Sequence, residues 1–234
     1  MTSDMLALGP IWYVCFLFAL TCHEAAHALA AKIGGDDTAA MAGQVSLNPL
    51  PHMQREPVGT VVVPFLSFIL SGWMLGWASA PYDPVWADRY PKRAAWMALA
   101  GPVANFVLVL IAAALIHAGI AAGYFYNPDN VNYTTVVAAH QAGFWGAMAS
   151  FLSITFALNL LLGFFNLLPV PPLDGNAVVG LFLSENAARK FAEFSHNPMF
   201  SLLGILLAWQ VFGTVFSPIF TMALNLLYPW TQYQ

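Results

Sequence analysis

Charged residues are scarce in this chain: seven Lys and Arg and eleven Asp and Glu among 234 residues, 8% in all, against about a quarter in soluble domains. With a formal net charge of -4 and no basic stripe, the sequence lacks the phosphate-reading surface that nucleic-acid binding needs. Only two cysteines occur, Cys15 and Cys22, both in one apolar run. Roughly two helical turns separate them, too far for a disulfide, so they read as small buried hydrophobes. Linkers and internal repeats are also missing, and a single domain over 1–234 is expected. What fills the chain instead is apolar, 59% hydrophobic with 15% aromatic residues, the composition of an integral membrane protein.

Stretches of about 20 apolar residues run over Pro10–Ala31, Val58–Ala80, Ala94–Ala122, Gly143–Leu168 and Met199–Leu227. Met1–Gly9 has no positive n-region, so the first run is expected to be retained rather than cleaved. All seven basic residues follow the first, second or fourth run. If Val58–Ala80 crosses, they split between the two sides. If it dips in and returns, all seven share one side, as the positive-inside rule prefers. Pro64, Gly72 and Gly76 make this an imperfect helix, which favours a re-entrant or interfacial segment. The alternation Gln44-Val45-Ser46-Leu47 within a glycine-punctuated polar stretch predicts a short strand in a surface hairpin. The expected fold is therefore all-α and polytopic, about four to six membrane segments with a short β-hairpin or re-entrant element after the first helix. Met199–Trp230, interrupted by Pro218, reads as one kinked span, a short hairpin or a lid.

Inside the first run stands His23-Glu24-Ala25-Ala26-His27. Positions four apart share a helix face, so His23 and His27 can present two imidazoles to one zinc ion, with Glu24 beside the open coordination position. A carboxylate at membrane depth costs about 2.5 to 3.5 kcal/mol and is kept mainly for function. The bland alternative is hydrogen bonding within a polytopic core. His27 lies five residues from Lys32, or about 7 to 8 Å, which sets a shallow site near the basic, cytoplasmic side. A third ligand must reach that depth. The fourth run ends in Asn166-Leu167-Leu168-Pro169-Val170-Pro171-Pro172-Leu173-Asp174-Gly175, where three prolines forbid regular helix and irregular backbone displays Asp174. Taken alone, Asp174 reads as a cap or turn residue. Paired with the first motif it becomes the third ligand.

These residues together resemble the site-2 protease family of intramembrane zinc metalloproteases. Ser46-Leu47-Asn48-Pro49-Leu50-Pro51-His52, Pro57-Val58-Gly59-Thr60 and Ala100-Gly101-Pro102-Val103-Ala104-Asn105 extend the likeness, in the right order, over about Phe18–Gly175. It implies zinc held by His23, His27 and Asp174, with Glu24 as the catalytic base. Glu56 stands where related sequences usually have aspartate, and Gln54 and Arg55 lengthen that turn, which weakens any role for His52. No inserted PDZ or CBS domain accompanies the core, as in the minimal bacterial or archaeal type.

Three protein ligands leave a position for water, and Glu24 can take its proton, so the expected reaction is peptide hydrolysis in or near transmembrane helices of substrate proteins in the bilayer. Such a substrate must unwind, and the Gln44–Leu47 strand or the re-entrant backbone is expected to pair with it. Asn105, Asn159 and Asn166 read either as interhelical hydrogen-bonding groups or, for Asn105 and Asn166, as groups that position substrate or steady the Asp174 loop. His52 reads as a supporting or gating residue or as neither. His117, His140 and His196 read as structural interface residues. The rival classes are a zinc carrier, which should show ligands in both membrane halves, and a catalytically silent scaffold. Substrate identity and oligomeric state leave no mark in the sequence.

Overall fold

The computed structural model describes residues 3–195 and 198–233. His196 lies outside them. Among the described residues three helices are long and apolar enough to cross a bilayer: α1 (Ser3–Ile33), α6 (Pro91–Ala121) and α7 (Phe144–Asn166). They pack on one another as the central bundle. α10 (Pro198–Leu227) adds a fourth span when its halves, Met199–Ala208 and Phe212–Leu227, count as one; these are bent by 49°. The bend falls at 209–211, well before Pro218.

Short helices α2 (Thr38–Met41) and α3 (Pro49–Arg55) follow α1. α4 (Val58–Ser71) begins with a π-helical turn over Val58–Val62. Its 14 residues rise about 21 Å, short of a hydrocarbon core of about 30 Å. At Gly72 the backbone turns left-handed, φ 76°, and the helix stops. The chain then comes back beside α4. Leu75 N donates to Ser67 Oγ at 2.9 Å, Trp77 N to Gly59 O at 3.2 Å, and Ser79 Oγ to Glu56 Oε1 at 2.7 Å. From Ser67 back to Glu56 the partners cover eleven residue steps while the returning chain needs only four, because extended backbone covers more length per residue than helix and the Glu56 and Ser67 side chains add reach. The segment folds back on itself, as expected of a re-entrant element, and the Glu56 side chain closes its base.

The expected strand over Gln44–Leu47 does not form. Gln44 N donates back to the Ala39 carbonyl at 3.0 Å, Ser46 Oγ accepts from Asn48 N at 3.0 Å, and Asn48 Oδ1 caps α3 through Leu50 N at 3.1 Å, so the stretch is held as a short link between the turn after α2 and the cap of α3. Gln44 is buried while Leu47 is exposed, the reverse of an apolar-in strand. Among the described residues the one strand pair is β1 (Phe125–Tyr126) with β2 (Ala138–Ala139), antiparallel, in the α6–α7 loop. Beyond α7 come α8 (Asp174–Val178), a 3-10 turn over Val179–Phe182 and the amphipathic α9 (Glu185–Ser195). α5 (Pro84–Arg89) leads into α6, its Trp86 seated on Ala31 and Met97.

Candidate metal centre

His23, Glu24 and His27 sit in the last three turns of α1, each no more than 6% exposed. Both imidazoles are tied from behind by α6. His27 Nδ1 meets the Met97 carbonyl at 2.7 Å. A carbonyl only accepts, so Nδ1 carries the proton and Nε2 keeps its lone pair. His23 Nδ1 meets Asn105 Oδ1 at 2.6 Å, which fixes the same tautomer. Outer partners of this kind orient metal-bound histidines generally.

Met97, Gly101 and Asn105 are spaced by four along α6 and form one stripe facing the two rings. Gly101 lies at its middle. A Cβ there would collide with Nε2 of both His23 and His27, so only glycine lets the backbone of α6 approach this closely. The stripe is a cradle with a fixed depth.

Asp174 reaches the same point from the far side of α7. After Asn166 the chain leaves the helix through Pro169, Pro171 and Pro172, then restarts as α8 with Asp174 in its first turn. At Gly175 a side chain would strike the carbonyl of Leu167, so the restart is pressed against the end of α7. Lys92 pins the other end. Its ammonium donates to the carbonyls of Gly180 at 3.0 Å and Leu181 at 2.7 Å, and to that of Leu183. A cation on terminal helix carbonyls is favourable, and this one binds the α8 segment to α6.

The result is convergence. Nε2 of His23 and His27 are 3.0 Å apart, and Asp174 Oδ2 stands 3.1 Å from the first and 3.4 Å from the second. Ligands bound at about 2.0 to 2.2 Å on tetrahedral zinc lie about 3.3 to 3.6 Å from one another. Asp174 Oδ2 is buried without a hydrogen-bond partner, and three lone pairs facing one another repel unless a cation lies between them. The donor set therefore fits a zinc ion. Glu24 completes the cluster, its carboxylate and the two imidazoles offering ligand atoms within 4.8 Å of one another.

Two expected residues stay apart from this group. His52 is buried, and its Nε2 donates to the Ser46 carbonyl at 3.2 Å, which ties down the 44–48 loop. Asn166 is the half-buried last residue of α7. His117 rests against Tyr228 and Trp230, and His140 against Tyr126. Sequence reading missed Met97, because its contribution is a backbone carbonyl. It also missed Gly101 and Lys92; the spacing 97, 101, 105 was the available signal.

A bundle of helices long enough to span a bilayer, with His23, Glu24 and His27 buried and the half-buried Asp174 beside them, defines a membrane protein with a candidate metal site of hydrolase type. The chain belongs to peptidase family M50, the site-2 protease family, whose sequence profile matches residues 11–211. It is similar to the Bacillus subtilis (strain 168) protein named "Putative zinc metalloprotease YwhC", 33% identical over 175 residues, 74% of this chain and 69% of that one. It is also similar to proteins named Rip2: one from Mycolicibacterium smegmatis, 31% identical over 76% of this chain and 59% of that one, and one from Mycobacterium tuberculosis H37Rv, 29% identical over 88% and 70%. No solved structure matches the chain.

Proposed function

We propose that this protein is an intramembrane zinc metalloprotease that hydrolyses peptide bonds in or near the transmembrane helices of other membrane proteins. The observation that carries this reading is the meeting of His23 Nε2, His27 Nε2 and Asp174 Oδ2 within 3.4 Å, at the end of spanning helices. His23, His27 and Asp174 hold the metal, and Glu24 is the catalytic base. Zinc, when bound, acidifies a water and polarises the scissile carbonyl. Glu24 is placed to take a proton from an attacking water, and would return it to the leaving amine nitrogen as the C–N bond breaks. Burial of Glu24 keeps bulk water from competing for the proton.

The site faces the cytoplasm on this reading. His27 is six residues from Ile33, the end of α1, or about 9 Å. Because α4 returns, Lys32, Arg55, Arg89, Lys92, Arg93, Arg189 and Lys190 share that side, as the positive-inside rule requires. Substrate helices must unwind before attack, and the returning arm after Gly72 offers them a backbone. Leu75 and Trp77 turn their amides towards α4, so alternate residues such as Ala78 turn theirs away. Ala78→Pro removes one such donor, and should slow cleavage of a helical substrate more than of a short unstructured peptide; equal slowing would count against pairing.

The test of the reading is Glu24→Gln. It should bind zinc as wild type does while cleavage of a model transmembrane helix falls by about a hundredfold or more. Full cleavage by Glu24→Gln would exclude Glu24 as the base.

A further inference from the structure

Asn105 touches more than His23. Its Nδ2 donates to Asn159 Oδ1 at 2.8 Å, and Asn159 Nδ2 donates to the Thr155 carbonyl at 2.8 Å. Both asparagines are fully buried, so water cannot stand in for a lost partner. The chain of bonds has a direction, and its far end sets it. The Thr155 carbonyl accepts only, and must draw the NH2 of Asn159. Asn159 then presents oxygen to Asn105, Asn105 answers with its NH2, and its oxygen is left for the N–H of His23. A reversed Asn105 amide would set acceptor against acceptor at Asn159, and at His23 it would donate to Nδ1 and so leave the proton on Nε2, where no metal could bind. The bond from Asn159 to the carbonyl four residues earlier lies within α7 itself, so the origin of the relay is local and rigid. His27 needs no relay, since the Met97 carbonyl that holds it already has one polarity.

We infer that Asn159 is a positioning residue for the metal centre: through the Asn105 amide it fixes the tautomer of His23 and the aim of its Nε2 lone pair, though it touches neither metal ligand nor substrate. This rests on the reading of His23 as a zinc ligand. It gives Asn159, beyond its packing role between α6 and α7, an effect on zinc affinity that propagates across three helices.

The test is zinc affinity of the detergent-purified full chain, measured against a chromophoric chelator, with thermal unfolding recorded alongside. Asn105→Leu should weaken zinc by about 10- to 100-fold, the range for lost outer partners of metal-bound histidines, and Asn159→Leu by about 10-fold. The double variant should be no weaker than Asn105→Leu, because Asn159 acts through Asn105. Asn159→Asp should rescue: its carboxyl, kept neutral by burial, offers an O–H to Thr155 and an oxygen to Asn105. If Leu is not tolerated, Asn159→Ser can still bond Thr155 but cannot reach Asn105, and should show the same loss. Wild-type affinity in Asn159→Leu or Asn159→Ser, or losses that multiply in the double variant, would overturn the relay. A wild type that binds no zinc would instead remove the reading of the centre, and the relay with it.

Discussion

The two ends of the helix bundle use polar groups differently. At the metal end, side chains from α1, α6 and α8 aim at one point, and small residues, Gly101 above all, hold the backbones close enough for them to meet. At the opposite end, polar atoms serve the backbone. Tyr228 Oη donates to the Val136 carbonyl at 3.0 Å, Tyr233 Oη to the Pro128 carbonyl at 2.8 Å, and Ser153 Oγ accepts from Val136 N and Val137 N. Large apolar residues fill the space between, among them Phe125, Phe156, Phe220 and Leu224. Polar groups at the far end close loops; at the metal end they leave lone pairs exposed to one another, an arrangement that folding alone does not favour.

Separate consequences of mutation follow from that difference. Gly101→Ala is the most severe single-atom change at the metal end. Alanine is the better helix former by about 1 kcal/mol, yet its methyl would press on both Nε2 atoms. Zinc affinity should fall by about a hundredfold, with α6 still folded by circular dichroism. Retained affinity would mean that the ligand atoms do not meet where Gly101 faces them. At the far end, Phe125→Ala should cost about 3 to 5 kcal/mol of stability and leave the zinc affinity of the folded fraction unchanged. A parallel loss of zinc would erase the contrast between the ends. The mildest test is Tyr228→Phe, which strips one hydrogen bond from Val136. It should lower stability by about 1 to 2 kcal/mol, read as a small drop in Tm, with cleavage rate intact.

The same contrast explains what the sequence made legible. His23 and His27 were legible as a pair because a helix has one period, and a spacing of four puts both on one face. That Asp174 comes beside the two histidines was legible because three prolines before it force the chain out of a helix there. That Val58–Ala80 folds back was legible from where the seven basic residues lie, a constraint that acts on the whole chain at once. Local alternation was a poorer guide. Gln44–Leu47 matched a strand over four residues, but Gln44 N bonds back to Ala39 and Ser46 and Asn48 build the cap of α3, so the stretch links two short helices instead of pairing. Asn105 was singled out as a polar group in an apolar helix, yet its partner could not be deduced, because the choice among interhelical bonding, substrate and His23 depends on the rotation of α6 against α1. Met97 was invisible, since any residue could supply that carbonyl. The bend of α10 at 209–211, away from Pro218, carries no comparable mark in the chain.

The most direct test of the centre is zinc-edge X-ray absorption on the purified, zinc-loaded protein. A first shell of nitrogen and oxygen only, at about 2.0 to 2.2 Å, with outer-shell scattering from two imidazoles, is the result expected for His23, His27 and Asp174. A sulfur scatterer at about 2.3 Å, which Cys22 beside His23 would supply, or one imidazole in place of two, would contradict the proposed ligand set.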